Sequence, residues 1–326
     1  MEHLIDRISK AKKIVLVSHI HPDGDAVASI LGLYSALSSL SKTVVAVLKD
    51  GVPPIFQFLV PSEVVITDLP DLKEYDLCII LDAPDSSRTG FAQEIKQAAA
   101  ENKIVFIDHH PKGDLARLTS TSLHDTSSSS AAELVFQLCV QLGIKVSPTL
   151  ATTLLAGVYT DTGGFQLPNT STRTLENAAE LMRRGARLQK ITTQITHTKT
   201  IAGLRLLGIA LEHVYLSQDQ SCAVSVLNED DLIKTKANPE DVSGIIKEIN
   251  VLPHIPLSLL LIQINPTTIR GIIRANDETS LTVNQLAKLL GGGGHPKAAG
   301  FLVRGHLEQT AIGWTIKKLP HGLIKA

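Results

Sequence analysis

The chain reads as an α/β protein in which a parallel-sheet N-terminal domain is followed by a smaller α+β domain. Three observations carry this reading. Ile14-Val15-Leu16-Val17, Leu77-Cys78-Ile79-Ile80-Leu81 and Ile104-Val105-Phe106-Ile107 are short, wholly apolar runs of the kind expected for strands buried on both faces. Segments of helical spacing separate them, which is the alternation of a parallel sheet. Each run ends at an acid or histidine: His19 to Asp25, Asp82, and Asp108-His109-His110.

In chain order, Lys13 to Ser18 is a strand, Ala26 to Leu40 a helix, and His19 to Asp25 the turn between them. Leu77–Leu81 and Ile104–Ile107 repeat the pattern, so that three strand ends meet along one C-terminal sheet edge, where open α/β sheets bind their ligands. Ser127 to Ser130 is good N-cap material for a helix over Ala131 to Leu142, and a second helix spans Pro148 to Tyr159. Asp161 is expected on the loop after it. Asn169-Thr170-Ser171 caps a further helix that closes near Arg183-Arg184-Gly185, with Gly185 as the residue beyond the C-cap. The same triplet fits a glycosylation sequon, but capping is the better reading.

The first domain therefore covers 1–185, a Thr-rich, ordered helical linker 186–215, and a second domain 216–326. In that second domain the pattern gives a strand at 222–227, a helix at 239–250, strands at 257–264 and 268–275 joined by Asn265-Pro266, and a helix at 282–290. Gly291 to Gly294 and His295 follow. There is no internal repeat.

Composition bounds the function. With 326 residues, 44% apolar and 19% charged, the chain can build two ordinary cores. A formal net charge of −1 supplies no global field for gathering duplex nucleic acid, and 4% aromatic residues leave few stacking platforms for a long single strand. Any phosphate binding must be local. Cys78, Cys139 and Cys222 are odd in number and set in apolar surroundings, as buried free thiols in a reducing compartment would be. The charged N-terminus does not resemble a signal peptide, and Leu257 to Ile264, broken by Ser258 and Gln263, is far short of the ~20 residues of a membrane span. A cytoplasmic protein without membrane contact is expected.

His19-x-x-x-Asp23-x-Asp25, Asp82, His109 and Asp161 supply carboxylate and imidazole but no thiolate, a donor set for Mn²⁺ or Mg²⁺. Clustered carboxylates repel, each raising its neighbours' pKa, and two divalent ions would offset that charge. Two such ions ~3.5 to 4 Å apart suit in-line hydrolysis of a phosphate ester. Asp108 is read as a partner that orients a neighbouring histidine, and His110 as a substrate contact or proton source. Gly291 to Gly294 lacks the Gly-Lys-Ser/Thr of a P-loop, but its backbone N–H groups, with His295 and Lys297, suit an anion. Arg270 and Arg274, four apart on one strand face, are candidate phosphate clamps.

These residues resemble the DHH phosphoesterases, whose signature stands here as Asp108-His109-His110. Val-Ser-His-Ile-His-Pro-Asp-Gly-Asp-Ala at 17–26, Leu-Asp-Ala at 81–83 and Gly-Val-Tyr-Thr-Asp-Thr-Gly-Gly-Phe at 157–165 are similar to its successive motifs. Gly-Gly-Gly-Gly-His-Pro-Lys-Ala-Ala-Gly at 291–300 is similar to the motif of the DHH-associated C-terminal domain. Length and motif order are most similar to the branch that degrades very short oligoribonucleotides and dephosphorylates 3′-phosphoadenosine 5′-phosphate, the nanoRNases. The resemblance implies one metal on His19, Asp23 and Asp82 and a second on Asp25, Asp82, His109 and Asp161, with Mn²⁺ the usual ion and Mg²⁺ or Co²⁺ as alternatives. It places His110 near the scissile phosphate, and the substrate in an interdomain cleft gripped by the region of Arg274 and by the Gly loop, Gly293 and Gly294 included, with His295. A short single-stranded RNA or small nucleotide is the implied substrate, and a homodimer the implied assembly. The alternatives are a cyclic-dinucleotide (c-di-AMP) phosphodiesterase and a non-catalytic nucleotide sensor; the sensor would show a lost ligand, and none is missing. Pro111-Lys112-Gly113-Asp114 departs from relatives that carry a small residue and an Asn after the second His.

Overall fold

The apolar runs of the first half become strands of a six-stranded, all-parallel sheet in the computed structural model, which describes residues 1–59, 64–196, 200–242, 244–276, 279–310 and 313–318. The strands are β1 (Lys13–Val17), β2 (Thr43–Val47), β3 (Val65–Ile66), β4 (Leu77–Leu81), β5 (Ile104–Asp108) and β6 (Ser122–His124). Their spatial order is β3-β2-β1-β4-β5-β6, so the direction of winding reverses between β1 and β4. The interleaved helices are α1 (Glu2–Lys10), α2 (Gly24–Ser38), α3 (Ala92–Ala100), α4 (Leu115–Leu118), α5 (Ala131–Gln141), α6 (Pro148–Asp161), α7 (Thr172–Arg183) and α8 (Leu188–Thr196).

Alternate strand residues enter two separate cores. Ile14, Leu16, Ile79, Leu81, Val105 and Ile107 meet the apolar sides of α1, α2, α5 and α6. Val15, Val17, Cys78, Ile80, Ile104 and Phe106 meet Ile95 and Ala98 of α3 and Leu115 of α4. Burial on both faces explains the unbroken apolar runs, each large side chain contributing ~1.5–3 kcal/mol. Helix α7 packs through Ala178 and Leu181, and α8 through Ile191, onto the first of these cores.

The chain divides into two compact units, Met1–Thr198 and Lys199–Ala326. The second holds α9 (Ile201–Glu212), β7 (Tyr215–Leu216), β8 (Cys222–Leu227), α10 (Glu229–Thr235), α11 (Ile245–Ile249), β9 (Leu257–Asn265), β10 (Thr268–Ala275), α12 (Val283–Leu289), β11 (Gly293–His295), β12 (Ala298–Thr310) and β13 (Gly313–Lys318). Its mixed sheet runs β11-β12-β10-β9-β8-β7, with β13 also on β12; among the described residues the β8–β9 pair is parallel and the others are antiparallel. Helices α9 and α11 cover one face, through Leu206, Ala210, Ile245, Ile246 and Ile249, and α12 the other, through Val283 and Ala287.

Several elements differ from the sequence expectation, each for a local reason. Helix α2 starts at Gly24 because the Asp23 carboxylate caps the N–H groups of Asp25 and Ala26, so Asp25 lies in the first helical turn. Helix α6 runs through Asp161, which is its last residue and not a loop residue. The expected helix over 239–250 is a 3-10 turn, Pro239–Val242, followed by the short α11, with Gly244 at φ +94 before it. Gly293–His295 is a strand and not a free loop. Cys78 and Cys139 are buried free thiols, pushed by burial up to about 12, while Cys222 is half-buried. Among the described residues no helix is long and apolar enough to cross a membrane.

Candidate metal centre

Strands β1 and β4 flank the point where the sheet reverses; His19 stands two residues after the first and Asp82 directly after the second. The His19 Nδ1–H donates to the Ile20 carbonyl at 2.8 Å, which fixes the tautomer and leaves Nε2 as the free ring nitrogen. That Nε2 lies 3.6 Å from Asp82 Oδ2 and 3.9 Å from Asp23 Oδ1. Asp82 takes a left-handed φ of +54 and donates its N–H to Ile107 O, a turn costing ~1–3 kcal/mol that directs its carboxylate along the sheet edge. Its other oxygen, Oδ1, lies 3.5 Å from His109 Nε2 and 3.4 Å from His110 Nδ1.

The remaining acids arrive from helices. Asp25 is buried, and its two oxygens accept the N–H groups of Ala131 at 2.6 Å and Ala132 at 2.9 Å, the free donors at the start of α5. Its Oδ2 is 3.9 Å from His109 Nε2. Asp161 reaches the same nitrogen at 3.8 Å from the end of α6, and Asn169 Nδ2 donates to its Oδ2 and to its carbonyl. The close crossing of α2 and α6 needs Gly157, where a Cβ would stand 2.8 Å from Asp25 Oδ1 and 2.6 Å from the Ala132 methyl.

Asp108 sits one layer back. Its Oδ1 accepts the backbone N–H groups of His109 and His110 and the His110 Nδ1–H at 2.9 Å, so the ring it orients is that of His110. Gly113 follows because the segment folds against the loop after β4, where a Cβ would lie 2.3 Å from both Pro84 O and Asp85 Oδ1. Asp114 in turn accepts from the N–H and hydroxyl of Ser86. The sequence departure at 111–114 thus belongs to a bonded turn beside the site.

Titration follows from the crowding. Burial, then the charges of Asp82 and Asp161, push Asp25 well above the usual carboxylate range. Burial is also the main cause for Asp161, at about 6, where the Asp82 and Asp23 charges add and the His109 charge opposes. Burial alone would raise Asp82, but His109 and His19 hold it below the usual range. Burial likewise works against protonation of His109, yet the Asp82, Asp25 and Asp161 carboxylates push it up to about 10.

Asp82 Oδ1 and His109 Nε2 are both buried and neither makes a hydrogen bond. Buried polar atoms without partners inside a ring of carboxylates are what a divalent cation would satisfy, once it displaces the His109 proton. Two sets of ligand atoms close enough to hold an ion are His19, Asp23 and Asp82, and Asp25, His109 and Asp161; a third joins Asp82 with Asp108, His109 and His110.

The expected substrate contacts lie in the second unit. Arg274 is in register with Ala298, which is in register with His295, so the three occupy one row across β10, β12 and β11. Gly293 and Gly294 pair with Gly300 and Ala299. Arg270 is exposed on the face of β10 that it shares with Arg274, whose buried Nε has no hydrogen-bond partner. The His295 side chain lies outside the described residues. The sequence reading missed Asn169 as the partner of Asp161, and Glu133 and Arg173 beneath the Ser127–Ser130 loop; the Ser130-x-x-Glu133 spacing, a capping-box pattern, was the available signal.

A doubly wound sheet whose switch point gathers these acids and imidazoles, with Asp-His-His closing β5, defines the class. Residues 13–158 match the model described as the DHH family, N-terminal domain. The chain is similar over most of its length to the bifunctional oligoribonuclease and PAP phosphatase NrnA of Thermus thermophilus, 28% identical over 305 residues covering 93% of this chain and 88% of that one. The enzyme of the same name from Bacillus subtilis is 29% identical over 309 residues, covering 91% of each. Among solved structures, an exopolyphosphatase-related protein from Bacteroides fragilis superposes with a TM-score of 0.80 at 27% identity, covering 92% of this chain and 89% of that one.

Proposed function

We propose that the protein is a metal-dependent phosphoesterase that degrades very short oligoribonucleotides to 5′-mononucleotides and removes the 3′-phosphate of 3′-phosphoadenosine 5′-phosphate. The observation that carries the chemistry is Asp82, whose two oxygens face two separate imidazole–carboxylate groups. His19, Asp23 and Asp82 would hold one divalent ion and Asp25, Asp82, His109 and Asp161 the other, with Mn²⁺ the proposed metal. When bound, such ions supply Lewis acidity, lowering the pKa of water and drawing charge from a phosphate-ester oxygen. The substrate reading is supported by the relatives named above, which match 93% and 91% of this chain.

The chain's own groups do the rest. Asp108 holds the His110 ring by Nδ1, leaving Nε2 to deliver a proton to the leaving oxygen. Arg274, with an unpartnered donor, would bind a substrate phosphate. The left-handed turn at Asp82 and the helix start beneath Asp25 fix their carboxylates before substrate arrives, so little reorganisation accompanies the reaction.

The test is purified protein with Mn²⁺, given in parallel a 2-mer to 24-mer RNA ladder, 3′-phosphoadenosine 5′-phosphate and cyclic di-AMP. Turnover concentrated on the shortest RNAs and on 3′-phosphoadenosine 5′-phosphate is expected. Faster turnover of the cyclic dinucleotide would overturn the substrate assignment, and no turnover of any would overturn the enzyme reading.

A further inference from the structure

One buried acid is used by none of the chemistry above. Glu133, in the first turn of α5, is fully buried and surrounded by donors. Its Oε2 accepts from the Ser129 N–H at 3.0 Å, the Ser129 hydroxyl at 2.7 Å and the Thr174 hydroxyl at 3.4 Å. Its Oε1 accepts from Arg173 Nε at 3.1 Å and Asn177 Nδ2 at 2.9 Å. The same arginine reaches Asp125 Oδ2 at 2.9 Å and the hydroxyls of Ser127 and Ser128. Helix α7 thus ties the loop 125–130 down through one acid and one guanidinium.

That loop touches the metal centre at three places. Beyond it, the N–H groups of Ala131 and Ala132 hold the two oxygens of Asp25. In its middle, the Ser129 carbonyl accepts from the Asn169 amide that also donates to Asp161. At its start the Asp125 N–H donates to Asp108 O, and just before it His124 Nε2 donates to His110 O at 2.7 Å. Carboxylates from α2 and α6 and the Asp-His-His turn therefore share one support.

We infer that Glu133, with Arg173, is a positioning residue that sets Asp25 and Asp161 for metal binding without touching the metal. The inference rests on the metallophosphoesterase reading above. Partners that orient metal ligands typically govern affinity by ~10- to 100-fold, and here a single acid governs two ligands at once. Glu133→Gln keeps the shape of the side chain but sets an NH₂ against donors, so the Ser129 or Arg173 end must release.

The test is calorimetric Mn²⁺ titration of wild type, Glu133→Gln, Arg173→Met and Ser129→Ala, each with a thermal melt in chelator and a kcat measured at saturating Mn²⁺. Glu133→Gln is expected to stay folded and to bind Mn²⁺ ~10- to 100-fold more weakly, with Ser129→Ala shifted in the same direction by less. Wild-type Mn²⁺ affinity in folded Glu133→Gln, even with a lowered Tm, would reduce Glu133 to a packing role and overturn the inference. Should Glu133→Gln fail to fold, Ser129→Ala decides, because it deletes one hydroxyl bond and leaves the acid paired. Failure of the wild type to bind Mn²⁺ would be a different result, overturning the metal-site reading and the inference with it.

Discussion

Asp82 Oδ1 and His109 Nε2 stand 3.5 Å apart, both buried and neither hydrogen-bonded, while the other oxygen of Asp82 lies 3.6 Å from His19 Nε2. One carboxylate therefore joins two candidate ion positions. Asp82→Asn should lower activity by more than the ~100-fold that marks loss of an outer partner, because it weakens both positions together. The metal-free variant should remain folded, since it loses a charge that raises Asp25 and Asp161. Mn²⁺ titration with a chelator melt reads both; retained activity would refute the shared position.

The pH dependence has a definite sign. His109 in the metal-free protein is raised from 6.5 to about 10, so its stabilising charge is fully present below 6.5 and is lost as pH rises through about 10. Asp161, raised to about 6, adds stability as pH falls below that value. The chelated protein should therefore lose stability from pH 6 to 10. Ligation requires neutral imidazole, so Mn²⁺ affinity should climb by about tenfold per pH unit between 7 and 9. A flat affinity across that window would exclude His109 as a ligand.

His110 differs from its neighbour in having its Nδ1 fixed by Asp108 at 2.9 Å. If Nε2 supplies the leaving-group proton, His110→Gln should cut kcat by ~10²–10⁴-fold and leave Mn²⁺ affinity within a few-fold. A large fall in Mn²⁺ affinity would instead assign His110 to the metal.

Arg274→Ala should leave Mn²⁺ affinity unchanged and raise KM for a dinucleotide or for 3′-phosphoadenosine 5′-phosphate. Losing a charged hydrogen bond is worth ~1.5–3 kcal/mol, or about 10- to 100-fold. The buried, unpartnered Nε is the structural reason to expect an anion there. An unchanged KM would remove Arg274 from substrate binding.

The sequence made the sheet legible where burial is two-sided, because Leu77–Leu81 and Ile104–Ile107 have no polar residue to confuse the pattern. The short β3 and β6, of two and three residues, carry too little pattern to be found. The site acids were legible as donor types at strand ends. Asp25 and Asp161 moved onto helices because caps, at Asp23 and Thr162, extend α2 and α6 past the apolar stripe that marks them in sequence. Glu133 was legible only as a capping-box acid after Ser130; its partners Arg173 and Asn177 lie 40 and 44 positions away on α7, a separation no local pattern reports.

Gly157 links packing to the site. Alanine there would place a Cβ 2.6 Å from the Ala132 methyl, 2.8 Å from Asp25 Oδ1 and 2.9 Å from the Ala28 methyl. Helix propensity favours alanine by up to ~1 kcal/mol, whereas overpacking costs ~1–3 kcal/mol. Two of the three contacts are methyls fixed to helical backbone, which have no rotamer to escape into, so the steric cost should win. Gly157→Ala should melt lower by ~2–4 °C for each kcal/mol lost and bind Mn²⁺ more weakly, because the Asp25 carboxylate must turn from the α5 N–H groups. A higher Tm with unchanged Mn²⁺ affinity would show that α2 and α6 can separate freely, and that their close crossing does not set the position of Asp25.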